Sequence, residues 1–213
     1  MIVRFSIKSP YLEVPGTNDG GPKRLIIGVS GASGVTYAVR MLRVLREMDV
    51  ETHLVVSQPG KMTINYETGM DYPSFAALAN HHYGAQDVGA PISSGSFRTL
   101  GMIVVPCSMR TLSEIATGVT TGLLTRAADV VLKERRRLVL MVRETPLHTG
   151  HLRAMTAASE IGAIVYPPVP AFYAEPKSLE EMVDQTVARA LDLFDLDAPT
   201  TRRWGEDLEK GRR

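Results

Sequence analysis

The chain has few of the features that mark secreted, membrane or nucleic-acid-binding proteins. It contains a single cysteine, Cys107, so an internal disulfide is excluded and a reducing compartment is favoured. The formal net charge is only +1, which indicates neither a nucleic-acid partner nor a membrane surface. No apolar run approaches the roughly 18 residues that span a bilayer, and the N-terminus lacks the apolar core of a signal peptide. We therefore expect a soluble, cytoplasmic protein.

What the sequence does contain is an alternation of short apolar runs and amphipathic helical patterns. Runs of strand length occur at Leu25–Val29, His53–Val56, Met102–Cys107, Leu138–Val142 and Ala163–Tyr166. The segments between them repeat apolar residues at helical spacing, and a long stripe of this kind covers residues 179–194. This alternation predicts an α/β fold with a doubly wound parallel sheet, a three-layer sandwich of the flavodoxin or Rossmann type. His81 and His82 lie outside the runs and are expected in a solvated loop.

Composition divides the chain into one domain and two end segments. Residues 1–22 contain several prolines and glycines, which predicts a flexible N-terminal arm. Residues 23–204 contain neither an internal repeat nor a linker, and they are long enough to form a single domain with a full core. Residues 205–213 are mostly charged and are expected to form a polar C-terminal tail.

The first apolar run leads directly into a loop of small residues. Gly28, Gly31 and Gly34 are spaced G-x-x-G-x-x-G, and a helical pattern begins at Val35. A strand, a small-residue loop and a helix N-terminus favour a bound phosphate, because the first amides of a helix are unpaired. The spacing differs from the G-x-G-x-x-G of dinucleotide folds, and Ser57 stands where an NAD enzyme would carry an acid. The sequence therefore favours FMN over NAD, and a tight turn without a ligand is the alternative.

Polar side chains follow four of the apolar runs. In a parallel sheet, ligands bind outside the carboxyl ends of the strands, so these segments are expected to line one crevice. They supply hydroxyls, a thiol, two arginines and a glutamate: Ser30, Ser33, Ser57, Cys107, Ser108, Arg110, Thr111, Arg143 and Glu144. Structural alternatives exist, because Ser108 fits a helix N-cap and Arg143 with Glu144 fits a surface ion pair.

Other reactive side chains favour structural roles. A lone thiol at a strand end is more often a small buried residue than a nucleophile, and no histidine is obviously paired with Cys107. His148 and His151 have the spacing of a metal-binding pair, but no third ligand lies near them in the sequence. We therefore expect no metal site.

Cations collect near the end of the helical pattern over residues 122–135. Residues 135–137 are all arginine, and they fit a solvated helix end where positive charge favours the helix dipole. Lys133 follows Arg126 by seven residues and shares its helix face, so the two are suited to bind an anion together.

Several of these motifs together resemble one family. They are Gly31-Ala32-Ser33-Gly34, Ser93-Ser94-Gly95-Ser96-Phe97, Pro106-Cys107-Ser108, Arg126-Ala127-Ala128-Asp129-Val130, Leu132-Lys133-Glu134-Arg135, Val142-Arg143-Glu144-Thr145-Pro146-Leu147 and Pro170-Ala171-Phe172-Tyr173. Their number and order make the likeness specific, whereas a glycine loop alone would not. From Lys23 to Trp204 the chain resembles the UbiX/Pad family of flavin prenyltransferases.

The resemblance implies a reaction, a cofactor and an assembly. The enzyme would join dimethylallyl monophosphate to N5 and C6 of reduced FMN without a metal. The product, prenylated FMN, would serve a UbiD-type decarboxylase in ubiquinone biosynthesis or in the decarboxylation of aromatic acids. The resemblance also implies a homo-oligomer in which trimers form a dodecamer, with sites at the subunit contacts.

The resemblance also implies roles for individual residues. FMN is expected to contact Gly31, Ala32, Ser33, Ser57, Ser108, Met109, Arg110, Thr111 and Arg143. The prenyl phosphate is expected to be held by Lys133, Tyr173 and Arg189, with help from Arg126 and Ser94. The expected catalytic groups are Glu144, Ser33, Glu67 and Lys133. Glu144, acting through Ser33, would be the base that removes the proton from flavin C6.

The residues taken by themselves leave other functions open. A flavin-dependent cysteine decarboxylase of related fold would carry a histidine after the second strand, where this chain has Ser57 and Gln58. A second alternative is a hydroxyarylic-acid decarboxylase subunit, a label that describes the pathway in which the same prenylating activity acts. A non-catalytic FMN-binding or assembly protein would keep the flavin segments without Lys133, Tyr173 and Arg189 together. An NAD dehydrogenase is disfavoured by the glycine spacing.

Overall fold

A computed structural model describes residues 21–199 and Arg203 of the chain. The strands are β1 (Arg24–Val29), β2 (Glu51–Val56), β3 (His81–Tyr83), β4 (Gly101–Cys107), β5 (Arg137–Val142) and β6 (Ala163–Val165). The helices are α1 (Val35–Glu47), α2 (Gln58–Thr68), α3 (Tyr72–Ala76), α4 (Met109–Thr117), α5 (Leu123–Lys133), α6 (Thr149–Glu160) and α7 (Leu179–Asp192). Single 3₁₀ turns cover Pro91–Ser93 and Phe172–Ala174.

The six strands form one parallel sheet in the order β3-β2-β1-β4-β5-β6. Strands β1, β2, β4 and β5 are buried along nearly their whole length, because helices cover both faces of the sheet. Helices α1 and α7 pack on one face, and helices α4, α5 and α6 pack on the other. The predicted doubly wound α/β sandwich is confirmed.

Helix α1 illustrates how the apolar pattern becomes packing. Apolar residues at helical spacing form its inner face, and none of them has exposed surface: Val35, Ala38, Met41, Leu42 and Leu45. Burial of one such aliphatic side chain is worth about 1.5–3 kcal/mol. The helix starts directly after Gly34, whose φ of 107° is readily adopted only by glycine. The loop after β1 therefore turns sharply into a helix that is anchored on the sheet.

Two expectations about the fold are wrong in detail. His81 and His82 do not lie in a solvated loop but form the first two residues of β3, which pairs with β2 at the edge of the sheet. Three residues without an apolar pattern give no strand signal of their own, so only their pairing with β2 identifies them. Leu179 is 68% exposed although its spacing places it on the apolar stripe of α7, because it lies at the first residue of that helix.

Two further expectations concern segments at the ends of the chain. Apart from residues 21 and 22, the predicted arm over 1–22 lies outside the described residues, as does the predicted tail over 205–213. Within residues 21–199, no helix is long and apolar enough to cross a bilayer.

Candidate functional site

The segments predicted to line one crevice meet at the carboxyl edge of the sheet. Strands β2, β1, β4 and β5 are consecutive neighbours, so the loops that follow them are adjacent in space. The chain changes direction across the sheet between β1 and β4, which is where doubly wound sheets open a ligand crevice.

Ser30 fixes the loops after β1 and β4 to each other. Its side chain is only 1% exposed. The Ser30 hydroxyl donates a hydrogen bond to the Pro106 carbonyl at 2.9 Å and accepts one from the Ser108 amide at 2.7 Å. Because both functions of this hydroxyl are used inside the protein, Ser30 is a brace. Ser33 is exposed and is the hydroxyl of this loop that faces solvent.

The glycines of the first loop have steric reasons that need no ligand. A Cβ on Gly31 would lie 2.5 Å from Cβ of Pro59, so any side chain there would push apart the loop after β1 and the start of α2. A Cβ on Gly28 would lie 2.8 Å from Cε of Met102 in the neighbouring strand. Close packing against Pro59 and Met102 therefore gives Gly31 and Gly28 structural roles that do not involve a phosphate.

Glu67 occupies the N-terminus of α1. Its carboxylate accepts hydrogen bonds from the Gly34 amide at 2.9 Å and from the Val35 amide at 2.8 Å. A negative charge at this position is favoured by the helix dipole. The loop of small residues before α1 predicts amides that are unpaired and open to a phosphate. The structure instead pairs these amides with a carboxylate of the same chain. The other helix starts at this edge are therefore the candidate positions for a phosphate.

Two other helices begin at the same edge with serine caps. The Ser57 hydroxyl accepts a hydrogen bond from the Gly60 amide at 3.1 Å at the start of α2. The Ser108 hydroxyl accepts one from the Thr111 amide at 3.3 Å at the start of α4. Ser108 thus forms the N-cap that was the structural alternative for it, and its role toward a ligand stays a prediction. Both hydroxyls stand beside the dipoles of helices that start at the crevice.

The residues after Ser108 divide between the core and the surface. Met109 and Thr111 are buried, at 6% and 8% exposed. Arg110 is largely exposed and pairs with Glu114 at 3.0 Å. Arg110 is therefore able to move toward a ligand, whereas the Met109 and Thr111 side chains help to hold the helix start in place.

Arg143 and Glu144 follow β5 and are both exposed. The Arg143 amide donates to the Cys107 carbonyl at 3.0 Å, which fixes the backbone at the strand end. The Glu144 carboxylate accepts a hydrogen bond from the amide of Thr145 at 3.1 Å. Among the described residues neither side chain forms an ion pair. Both are therefore available to a ligand, and the surface ion pair is not formed.

Cys107 is fully buried, and burial raises the pKa of its thiol well above the ordinary value. The thiolate is the nucleophilic form of cysteine, so Cys107 is a core residue, as predicted.

His148 is the N-cap of α6: its Nδ1 accepts a hydrogen bond from the Gly150 amide at 3.0 Å, and its ring stacks on His151 with 3.6 Å between centroids.

A second group of the expected residues lies at the other end of the strands. Arg136 donates to the carbonyls of Gly95 and Phe97, both at 2.7 Å, and so holds the loop that precedes β4. A Cβ on Gly95 would lie 2.9 Å from Nζ of Lys133, so this loop packs directly against the end of α5. Lys133 and Ser94 therefore lie together at the amino edge of the sheet.

The expectation of solvated arginines at 135–137 holds for Arg135, which is exposed, and is wrong for Arg136 and Arg137. Arg136 is a structural anchor of the loop, as described above. Arg137 is the first residue of β5 and donates to the carbonyl of Leu193 and to the carboxylate of Asp195, at 2.7 and 2.6 Å. Neither is a free solvated cation, because the loop before β4 and the end of α7 fold over them.

A third group surrounds Tyr166, directly after β6. Its hydroxyl donates to the Thr186 carbonyl at 3.3 Å. Burial is the main cause that raises the pKa of Tyr166, and the positive charge of Arg189 opposes this rise. Arg189 pairs with Asp192 on α7. Tyr173 lies in the 3₁₀ turn Phe172–Ala174 and is 44% exposed.

Within one chain, two of the residues expected to bind the phosphate lie far from the flavin segments. Lys133 precedes β5 and Ser94 precedes β4, whereas Glu144 and the flavin segments follow the strands. The six residues of β5 span about 20 Å. A single subunit therefore places Lys133 and Glu144 at opposite edges of the sheet.

Comparison with known proteins identifies the family. The family model described as Flavoprotein matches residues 14–191. Flavin prenyltransferase UbiX of Escherichia coli strain K12 is 60% identical over 178 residues, which are 83% of this chain and 94% of that protein. This chain belongs to the flavin prenyltransferase family. The predicted family and enzyme class are thereby confirmed.

Solved structures of the family agree in fold. The structure of AnUbiX (PadA1), in complex with FMN and dimethylallyl pyrophosphate, has a TM-score of 0.85 and 49% identity and covers 87% of this chain and 98% of its own. A dodecameric FMN-dependent UbiX-like decarboxylase from Escherichia coli O157:H7 has a TM-score of 0.82 and 52% identity and covers 85% of this chain and 98% of its own.

Three structural roles near this flavin prenyltransferase site were not predicted from the sequence, although Ser30 itself was expected at the crevice. The brace at Ser30, the anchor at Arg136 and the contacts of Tyr166 each depend on partners that are distant in the chain. A serine directly after a fully apolar strand was a usable signal for Ser30, because a buried hydroxyl needs partners. Nothing in the local sequence distinguishes Arg136 from Arg135.

Proposed function

We propose that this flavin prenyltransferase joins dimethylallyl monophosphate to N5 and C6 of reduced FMN without a metal, and that a UbiD-type decarboxylase uses the product. The observation that carries FMN and a dimethylallyl donor is the 49% identical structure of AnUbiX, whose complex holds FMN and dimethylallyl pyrophosphate. The choice of the monophosphate rests on the resemblance to the family and on the small number of cations. The polar carboxyl edge described above supports it, since this chain has hydroxyls, arginines and an exposed carboxylate there.

The carboxyl edge is the proposed binding site of FMN. The capping serines Ser57 and Ser108 stand at helix starts whose dipoles favour the FMN phosphate, and Arg143 supplies a guanidinium that has no ion-pair partner among the described residues. The residues of the exposed loop at Gly31 and Ser33 have small side chains, so the flavin can approach the backbone there. Reduced FMN supplies an electron-rich nitrogen that attacks the allylic carbon, so the protein need not supply a nucleophile.

The leaving phosphate is the proposed ligand of the cations. The sequence contains no Asp-Asp-x-x-Asp motif that would hold Mg²⁺, so side-chain cations and the Tyr173 hydroxyl stabilise the anion. Lys133, Arg126 and Arg189 each have a carboxylate partner here, namely Glu134, Asp129 and Asp192. These side chains are 38–48% exposed, so solvent screens the pairs and a phosphate can share the cations.

Glu144 is the proposed base for ring closure. Bond formation at flavin C6 releases the proton of that carbon, and an exposed carboxylate that pairs with no cation in the described part of the chain is suited to accept it. Ser33, the exposed hydroxyl of the first loop, is proposed to relay this proton. Glu67 holds the start of α1 and keeps that loop in place.

The complete site is proposed to form between subunits. Lys133 and Glu144 lie at opposite edges of the sheet within one chain, so a second subunit has to present its Lys133 to the flavin edge of the first. The dodecameric UbiX-like relative supports such contacts. Trimers that build a dodecamer are the proposed assembly.

The proposed reaction is tested under anaerobic conditions. Purified protein is mixed with reduced FMN and dimethylallyl monophosphate in EDTA, and the flavin is analysed by mass spectrometry. The expected result is FMN that carries one added dimethylallyl unit. A parallel reaction with the diphosphate is expected to be slower, because the extra charge lacks a metal to neutralise it.

Three outcomes would contradict parts of the proposal. Product only in the absence of EDTA would show a metal requirement. Faster reaction of the diphosphate would reverse the choice of donor. Tight FMN binding without any adduct would favour a flavoprotein that acts on another substrate or only assembles with one.

A further inference from the structure

A compact group of metal-ligating side chains lies at the amino edge of β2 and β3. Glu51 and His53 are two residues apart on β2, so their side chains project from the same face of the sheet. His81 on β3 is the register partner of His53 and completes the group on that face. The sheet therefore presents one carboxylate and two imidazoles side by side.

The distances between the ligand atoms suit a tetrahedral cation. Oε1 of Glu51 lies 2.9 Å from Nε2 of His53 and 3.3 Å from Nε2 of His81, and all three atoms lie within 4.8 Å of one another. Ligand atoms that bind zinc at about 2.1 Å with tetrahedral angles are separated by about 3.4 Å. The rings of His53 and His81 are stacked with 4.8 Å between centroids, so the exposed His81 ring has to turn to face the cation.

The surroundings of His53 suit a histidine ligand. Its side chain is 2% exposed. The Nδ1 atom lies 2.8 Å from the Tyr83 hydroxyl. That hydroxyl can accept a hydrogen bond from a protonated Nδ1 and leave Nε2 free to ligate, which is the outer contact that histidine ligands usually have.

We propose that Glu51, His53 and His81 form a binding site for Zn²⁺ that ties the edge strand β3 to β2. Two imidazoles and one carboxylate are ligands that zinc accepts, with water in the fourth position. The His81 side chain is 52% exposed, so the cation has access from solvent. The site lies at the opposite edge of the sheet from the flavin segments, and none of its three ligands is among the residues proposed for prenylation.

Arg24 limits the affinity of this site. Its Nε atom lies 3.2 Å from the same Oε1 atom of Glu51, and its guanidinium also stands over the Phe97 ring at 5.0 Å. A bound cation would displace Arg24 from that oxygen and leave it on the ring. The nearby positive charge opposes Zn²⁺, so the expected dissociation constant is in the micromolar range.

Zinc titration of the full-length protein tests the proposal. Protein stripped with EDTA and dialysed is titrated with zinc chloride by calorimetry, and Co²⁺ is used in parallel to detect the visible absorption of tetrahedral coordination. His81→Ala is the test variant, because His81 is exposed and its loss leaves the core intact. His82→Ala is the matched control, because this neighbour is also exposed and projects from the opposite face of β3.

The expected result is one zinc per chain for the wild type and for His82→Ala, and at least tenfold weaker binding for His81→Ala. FMN binding by both variants, followed by flavin absorbance, is expected to be unchanged and shows that each variant is folded. Wild-type protein that binds no zinc at tens of micromolar would overturn the proposal. So would equal binding by His81→Ala, because the metal would then be held elsewhere, such as at His148 and His151.

Discussion

At the scale of single residues, two exposed carboxylates of the carboxyl edge have different partners. Glu67 accepts two amide hydrogen bonds at the start of α1, whereas Glu144 accepts only the amide of its neighbour Thr145 among the described residues. A carboxylate that caps a helix is committed to structure, and one without such partners is available for proton transfer. This difference favours Glu144 for the proton step.

Replacement of Glu144 by glutamine tests this assignment. We expect Glu144→Gln to bind FMN normally and to form the first carbon–nitrogen bond. Loss of the flavin C6 proton should then slow by about 10²–10⁴-fold, which is the usual contribution of a general base. Rapid quenching and mass spectrometry, followed by reaction of the trapped adduct, separate the two steps. Glu160→Gln, at the exposed end of α6, is the control, and full ring closure at the normal rate by Glu144→Gln would refute the assignment.

At the scale of elements, the loops of β1 and β4 act as one unit through Ser30. The hydroxyl of Ser30 satisfies a carbonyl and an amide from the second loop, 76 and 78 residues further along the chain. The serine caps Ser57 and Ser108 then start two helices at the same edge. The hydrogen bonds of Ser30 and the two caps therefore fix the proposed binding surface to the strands that support it.

The Ser30→Ala variant measures the strength of this brace. It leaves the Ser108 amide without its partner, whereas the Pro106 carbonyl keeps its hydrogen bond from the Ser30 amide at 3.2 Å. An unpaired amide at this position should destabilise the fold by about 1–3 kcal/mol. Urea unfolding followed by circular dichroism gives this value, and FMN affinity should fall as the two loops separate. Ser159→Ala on the exposed end of α6 should change stability by less than about 0.5 kcal/mol. Equal stability of the two variants would show that Ser30 is not a brace.

At the scale of the whole molecule, the parallel sheet separates the two halves of the proposed site. Lys133 lies where strands begin and Glu144 lies where they end, so neither side-chain flexibility nor a loop shift can join them within one chain. Oligomerisation would be part of the catalytic design, because only another subunit can supply the missing cation.

Mixed oligomers test the arrangement between subunits. Lys133→Ala and Glu144→Gln alone are each expected to make little ring-closed product. When the two variants are co-expressed and assemble at random in equal amounts, roughly a quarter of the sites should combine an intact Lys133 with an intact Glu144 from different chains. Product formation is compared with that of separately purified variants mixed without exchange of subunits. Activity no higher than that of the single variants would place the whole site within one chain.

The sequence by itself determined the class of fold and the family. Strand and helix periodicity depends on residues a few positions apart, so five strands and the inner face of α1 could be predicted from the local pattern of apolar residues. The order of motifs such as Val142–Leu147 was specific enough to indicate flavin prenylation. The same local logic failed at β3, whose three residues become a strand only by pairing with β2.

The tertiary structure alone decided which distant side chains meet. Glu67 reaches the start of α1 across 33 residues, and His81 stands beside Glu51 because β3 pairs with β2 in one register. The order of strands likewise places Lys133 and Glu144 at opposite edges, although they are near in sequence. Such contacts depend on sheet order and packing against the whole core, and no local pattern of residues encodes them.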